Sequence, residues 1–299
     1  MTEDRLLAEL RPYAFAVAYR MLGSVAEAED VVQEALLRVH HTIEQGQRLE
    51  SPRAFVATVT TRLAIDELRS ARVRREQYVG EWLPEPIVTD DANDPAASAE
   101  LADSLTVAFL ALLERLSPEQ RAALLLRDVF GYEYAEIADI VGTTAVNARQ
   151  LATRARRHVT ADRPRFERSS RAERRLAERF FAAARGGDLE GLERFLAEDV
   201  VLHGDGGGRV PALARSITGR GHVARTFRAW FLQGAQIGGR VDLAEVNGRA
   251  GAILFDARGT VVGVQSLEIR DGTVVAIHSI VNPDKLRHLQ PDGGQGAPA

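Results

Sequence analysis

Apolar residues recur at three- and four-residue spacing as far as Val159, whereas beyond about residue 198 they alternate between glycine-bearing turns. A chain that changes its hydrophobic period in this way builds helical domains first and an α+β domain last. The 299 residues suffice for two or three such domains, each with its own core. In residues 1–79, Leu6, Leu7, Leu10, Ala14, Val17, Ala18 and Met21 mark one helix. Gly23-Ser24 breaks it, and Ser24 with Glu27 has capping-box spacing for a second helix, whose stripe is Val31, Val32, Ala35, Leu36 and Val39. Ser51-Pro52 opens a third as N-cap and first helical residue. Its apolar face runs through Phe55, Val56, Val59, Leu63, Ile65 and Leu68, and its exposed face through Arg53, Thr58, Thr61, Arg62, Asp66, Arg69, Arg72, Arg74 and Arg75.

Residues 80–97, GEWLPEPIVTDDANDPAA, read as a linker, because Pro84, Pro86 and Pro95 forbid a continuous helix. Trp82, Leu83, Ile87 and Val88 are too apolar for a freely solvated tether, since exposing a large apolar side chain costs roughly 1.5–3 kcal/mol. The expectation is a linker docked on the C-terminal domain, with Trp82 as anchor and Pro84 and Pro86 holding it extended.

Residues 98–163 return to helix. Leu116-Ser117-Pro118-Glu119 starts one helix and Phe130-Gly131 ends it. A short helix from Tyr134 to Ile140, a turn at Gly142 and a helix from Thr144 to Val159 then form a helix–turn–helix. Ala135, Ile137 and Ala138 are expected inside on the first of these, and Val146, Ala148, Leu151, Ala152, Ala155 and Val159 on the second. The outward set is Asn147, Arg149, Gln150, Thr153, Arg154, Arg156 and Arg157. Asn, Gln and Arg near the start of such a helix suit base edges, and arginines further along suit phosphates. A solvated basic face on an ordinary helical hairpin is the plainer alternative.

Residues 164–290 read as an α+β domain and 291–299 as a disordered tail. Helices at about 171–185 and 188–197 precede antiparallel strands Val241–Val246, Ala250–Phe255, Val261–Ile269 and Thr273–Val281, with hairpin turns at Asn247-Gly248 and Asp271-Gly272.

The net charge of −4 hides an asymmetry. Residues 81–103 hold seven acids and no base, while residues 145–175 hold ten arginines against three acids. A basic stripe in an acidic chain points to an anionic partner, and Asp90, Asp91 and Asp94 are candidates to cover it. With no cysteine, disulfides, thiol catalysis and Cys-ligated zinc are excluded. No apolar run reaches the roughly 18 residues of a membrane span, and MTEDRLLAEL lacks a signal peptide's apolar stretch. A cytoplasmic protein is expected.

AEDVVQEALLRVH (28–40), SPRAFVATVTTRLAIDELRSARVRR (51–75) and LSPEQRAALLLRDVFGYEYAEIADIVGTTAVNARQLATRARRHV (116–159) together resemble the extracytoplasmic-function (ECF) sigma factors of bacterial RNA polymerase. WLPEP (82–86), DGGGR (205–209) and NPDKL (282–286) narrow the resemblance to members with a fused SnoaL-like C-terminal domain, the ECF41 group. Arg209 stands where members usually carry lysine.

The resemblance implies two helical sigma domains followed by an NTF2-like α+β cone that regulates sigma activity in cis. It implies that Asp30, Gln33 and Glu34 contact core polymerase at the β′ clamp helix, with a further contact to the β flap. Arg53, Arg62, Asp66 and Arg69 would act at the −10 element of promoter DNA. Asn147, Arg149, Gln150, Arg154 and Arg157 would read or grip the −35 element. The cis-regulatory set would be Trp82, Leu83, Pro84, Glu85 and Pro86 with Asp205, Gly206, Gly207, Gly208, Arg209, Asn282, Pro283, Asp284, Lys285 and Leu286.

His203, Asp205, Asp256 and His278 are the residues from which a cone active site would be built. No metal-ligand spacing is present, and Gly206–Gly208 lacks a following P-loop lysine. No catalytic residue, metal or cofactor is assigned; a small-molecule effector in the cone is the alternative use. Two other classes compete with a sigma factor: a stand-alone helix–turn–helix regulator, which has no need of the 28–75 block, and an enzyme carrying DNA-binding helices.

Overall fold

The computed structural model describes residues 3–47, 49–89, 106–159, 170–213 and 215–291, with 71–76 described by backbone alone. They form two compact units. The first holds the described residues of 1–77 and 109–165; the second holds those of 78–94, 106–108 and 166–299. The apolar linker segment from Tyr78 to Thr89 therefore belongs with the C-terminal domain. Asp90, Asp91, Asp94 and the expected tail from 292 lie outside the described residues.

Seven helices are described up to Val159: α1 Glu3–Leu22, α2 Val25–Glu44, α3 Pro52–Glu76, α4 Val107–Leu113, α5 Pro118–Asp128, α6 Tyr134–Val141 and α7 Ala145–Val159. Their starts follow the capping residues. Ser24 Oγ accepts from Glu27 N at 3.2 Å and Ser51 Oγ from Ala54 N at 3.3 Å, while Ser117 and Gln120 form a reciprocal capping box at α5. Arg121, 2% exposed, ties α5 to the end of α1, donating to Met21 O at 2.6 Å, Leu113 O at 3.1 Å and Glu114 at 2.6 Å. A buried guanidinium with its donors so engaged fixes how these helices pack.

Three expected orientations are corrected. Val146 is 70% exposed and Ala135 is exposed, not inside. Each lies two residues before a buried position, Ala148 and Ile137, and so points away from it on a helix. Thr61 is buried rather than exposed, because it follows buried Ala57 by four residues.

The second unit contains α8 Arg171–Gly186, α9 Leu189–Phe195, α10 Arg220–Gln236, a short 3-10 helix η1 Pro283–Leu289, and a seven-stranded sheet. The strands are β1 Val88–Thr89, β2 Leu196–Asp205, β3 Ile217–Thr218, β4 Arg240–Val246, β5 Arg249–Phe255, β6 Val261–Arg270 and β7 Thr273–Ile280, in the order β1-β4-β5-β6-β7-β2-β3. The two hairpins turn through Asn247 and Asp271, at φ 50° and 49°, each followed by glycine.

β2, α10 and the linker strand β1 extend the expected set. The second helix of this unit stops at Phe195, and β2 begins at Leu196 and runs parallel to β7, whereas the four expected strands pair antiparallel as read. Leu202, Ile277 and Leu267 are register partners facing the helices, where Phe180, Phe181 and Phe227 fill the core. Their neighbours His203, His278 and Ser266 are register partners on the opposite face.

Candidate nucleic-acid interface and linker clasp

The helix–turn–helix stands on a small core of Ala123, Leu126, Ile137, Ala138, Ile140, Ala148 and Ala152. Gly142 ends α6 in the left-handed region at φ 76°, which a side chain would strain. Asn147, Arg149, Gln150, Arg154 and Arg157 are all exposed on α7. Asn147 Nδ2 donates to Thr143 Oγ1 at 2.7 Å, and the Arg149 guanidinium lies 5.1 Å from the Tyr134 ring centroid. Arg156 departs from this set. It bridges to Asp128 on α5, with Nε to Oδ2 at 2.8 Å, which raises its pKa further. It braces the helix rather than extending the open face.

The α3 residues face another part of the same unit. Arg62 Nε donates to Ile140 O at 3.0 Å and Nη2 to Asp139 O at 2.7 Å. Arg69 donates to Glu119 at 2.8 Å and to Asp66 at 3.3 Å. The Arg53 guanidinium stacks 4.0 Å from the Tyr13 ring centroid. Tyr13 and Tyr132 join hydroxyls at 3.0 Å. In this state Arg62 and Arg69 of α3 are engaged by α6 and α5.

On α2, Asp30, Gln33 and Glu34 are exposed together, with Glu34 paired to Arg38 at 2.8 Å. Leu37, 45% exposed, continues that face; its place in the apolar-looking run ALL hid it from sequence reasoning.

The linker meets the C-terminal domain at Asp205, which is wholly buried. Its carboxylate accepts from Leu83 N at 2.8 Å, Tyr78 Oη at 2.5 Å, Gly207 N at 3.0 Å and Lys285 Nζ at 2.7 Å. Lys285, the only lysine of the chain, also donates to Leu83 O. Its ammonium lies 4.1 Å from the Trp82 ring centroid. Burial, then the bond to Asp205, pushes the Tyr78 hydroxyl pKa up. Asn282 caps η1 through Asp284 N and donates from Nδ2 to Tyr78 Oη at 2.8 Å.

The glycines let the chains approach. A Cβ at Gly207 would lie 2.2 Å from Asn282 Nδ2, and one at Gly206 2.6 Å from Val210 O. Leu83 is 1% exposed and Trp82 only half-buried, so of these two apolar residues Leu83 is the more deeply set. Pro84 and Pro86 are buried and Glu85 half-buried. Arg209 pairs with Asp284 at 3.1 Å in the open, where either basic residue type fits.

Beyond WLPEP the linker continues as a strand. Ile87 O accepts from Asn247 N at 2.8 Å, Ile87 N donates to Asn247 Oδ1 at 3.0 Å, and Val88 pairs with Val246. His288 Nε2 donates to Pro86 O at 2.8 Å, and Glu81 pairs with His203 at 2.7 Å. The linker contacts of Tyr78, Glu81, Asn247 and His288 left no mark in the sequence; the apolar Ile87-Val88 pair was the one signal for this strand addition.

His203, Asp205 and His278 therefore serve the linker-facing side, and none of them lines the cone's cavity. Asp256 lies on its rim with its carboxylate accepting from Arg258 N and Thr260 N of its own turn. The His203 and His278 rings stack with centroids 4.9 Å apart, but Asp256 lies at the cavity, away from them, so the four do not form one site. Burial drives the His278 pKa down to about 3. No His, Asp or Glu cluster able to hold a metal occurs among the described residues, and no described helix is long and apolar enough to cross a membrane.

Residues 6–74 match the Sigma-70 region 2 family, residues 106–159 the Sigma-70, region 4 family and residues 177–282 the SnoaL-like domain. The chain is 40% identical over 301 residues to the ECF RNA polymerase sigma factor SigJ of Mycobacterium tuberculosis, covering 95% of each. It is 31% identical over 289 residues to the probable ECF RNA polymerase sigma factor SigI of that organism, covering 96% of this chain and 95% of the other. The crystal structure of Mycobacterium tuberculosis SigJ matches with a TM-score of 0.77 at 36% identity, covering 96% of this chain and 98% of that one.

Proposed function

The chain belongs to the ECF RNA polymerase sigma factors that direct transcription initiation, and from that premise we propose how its residues divide the work. It acts in the cytoplasm on core polymerase. Asp30, Gln33 and Glu34, extended by Leu37, dock on the β′ clamp helix; the α4–α7 domain engages the β flap. Asn147, Arg149 and Gln150 read −35 base edges, and Arg154 and Arg157 hold phosphates. Arg53, Arg62, Asp66 and Arg69 act at the −10 element, and Arg62 and Arg69 do so only after leaving Asp139, Ile140 and Glu119. The chain itself catalyses no reaction.

The C-terminal domain regulates this activity in cis through the linker, in concert with a small-molecule effector in its cone. The observation that carries this reading is the buried Asp205 carboxylate, which gathers Tyr78, Leu83 and Lys285 at one point. A free tether would not be bound by a buried ion pair. The test is promoter-specific initiation by the full-length chain with core polymerase. Asp30→Arg with Glu34→Arg should lower holoenzyme formation while helicity holds. Trp82→Ala should change initiation without altering affinity for isolated −35 DNA. Wild-type initiation by all of these variants would refute the assignment.

A further inference from the structure

The C-terminal cone is hollow. A cavity of about 890 Å³, open on one side, is lined by α10, β4, β5, β6, β7 and η1, within the roughly 300–1,000 Å³ of small-molecule sites. Its wall is apolar, with Trp230, Phe231, Val241, Leu254, Val261 and Leu286. Two apolar rim residues are open to solvent, Ile237 at 68% and Val262 at 44%. The charged lining residues stay at the surface. Arg185 and Arg240 are exposed, and Asp256 is held by its own turn. A charged ligand would leave water without meeting a buried counter-charge.

Among the described lining residues, the buried polar side chains form one pair. Gln265 on β6 and Ser279 on β7 are register partners, 1% and 2% exposed, and both line the cavity. Gln265 Nε2 donates to Ser279 Oγ at 2.9 Å, while Gln265 Oε1 has no partner among the described residues. A buried acceptor left unpaired is costly. A hydroxyl supplies the missing hydrogen, and its oxygen would equally serve the amide turned over.

The cavity and the linker clasp share one short element. Pro283 and Leu286 of η1 line the cavity. Lys285 of the same helix holds Leu83 and Asp205, and its cap Asn282 holds Tyr78.

We propose that the cone binds an uncharged, largely apolar molecule carrying a hydroxyl that hydrogen-bonds Gln265, and that η1 passes its presence to the linker. The binding stands alone; its consequence for initiation rests on the cis-regulatory reading above. The chain's two tryptophans separate these steps, since Trp230 lies on the cavity wall and Trp82 in the clasp.

The test titrates full-length protein with three probes of one shape: 2-naphthol, naphthalene and 2-naphthoate. Calorimetry gives affinity, and the two tryptophan indole N–H signals in NMR, assigned with Trp82→Phe, report the two places. 2-Naphthol should shift Trp230 and bind roughly three- to tenfold tighter than naphthalene, with 2-naphthoate weakest. Gln265→Leu should erase the preference for the alcohol. Trp82 should shift in step with saturation.

Equal affinity for alcohol and hydrocarbon in the wild-type protein, or a Trp230 signal unmoved by all three, overturns the site. A saturated cavity with Trp82 unmoved overturns the transmission. A shifted Trp82 with unchanged initiation counts against the regulatory reading instead.

Discussion

The guanidinium of Arg62 on α3 reaches the carbonyl oxygen of Asp139, 2.7 Å away, in the last turn of the helix before the recognition helix. Carbonyls at a helix end have no partner within the helix and carry the negative end of its dipole. Arg62 thus completes α6, and in doing so is withdrawn from any strand of DNA. On the proposed −10 role of Arg62 and Arg69, closure of the helical unit and engagement of the −10 element would compete for the same donors.

That competition can be biased without touching a proposed DNA contact. Glu119→Ala removes the Arg69 partner, and Tyr132→Phe removes the hydroxyl pair with Tyr13. Together they should weaken closure by about 1–2 kcal/mol. Small-angle scattering of the free protein should show expansion, and affinity for −10 single strand should rise roughly 5- to 30-fold. Unchanged scattering and unchanged affinity would refute the competition.

On α7, Arg149→Ala or Gln150→Ala should each lose about 1–3 kcal/mol of discrimination at particular −35 positions. Arg157→Ala should weaken all sequences alike and flatten the dependence on salt. Binding titrations on single-base variants at two salt concentrations separate these outcomes; a uniform loss for all three would defeat the distinction.

Lys285→Met leaves the Asp205 carboxylate buried without its cation. Breaking a buried pair in this way costs about 3–5 kcal/mol. The Leu83 amide, which donates to that carboxylate, should lose much of its protection from hydrogen exchange. Arg209→Lys, on an exposed pair, should stay within about 0.5 kcal/mol of wild type by thermal unfolding. Retained protection at Leu83 in the methionine variant would show that the clasp does not depend on the ion pair.

Acid should loosen the C-terminal domain through His278. Its folded pKa of about 3 lies below the ordinary 6.5 because burial disfavours the cation. The unfolded chain therefore binds the proton first. The His278 contribution to stability is complete above pH 6.5 and falls by about 1.4 kcal/mol for each unit toward pH 3. Glu268, raised by burial on the same sheet, contributes the opposite slope above its ordinary value. His278→Gln should remove the fall between pH 6.5 and 5 in denaturant titrations; an unchanged slope would exclude His278 as its source.

Local chemistry made much of this architecture legible. Ser24, Ser51, Ser117 and Gly142 act within a few residues, so they foretell helix ends without knowledge of the fold. The hairpins at Asn247 and Asp271 are legible for the same reason. β2 is not: its partner β7 lies some 75 residues away in sequence, and a parallel pair leaves no turn signal between its strands. The motifs WLPEP, DGGGR and NPDKL were visible by resemblance, yet the linker contacts of Tyr78, Asn247 and His288 were not, since each has an ordinary residue type for its element. Asp205 and His278 misled in the other direction. As residue types they suggest acid–base chemistry, and only strand register reveals that they face the linker.

The clasp has an order in time. Lys285 and Asn282 sit close to the end of the chain, whereas the recognition helix is complete at Val159. At ordinary rates of synthesis, more than a hundred further residues take on the order of ten seconds. A nascent chain on the ribosome therefore has the helices of its two sigma regions finished before the residues that hold its linker exist. Each molecule begins without the clasp, and any chain stopped short of Lys285 keeps the linker without it.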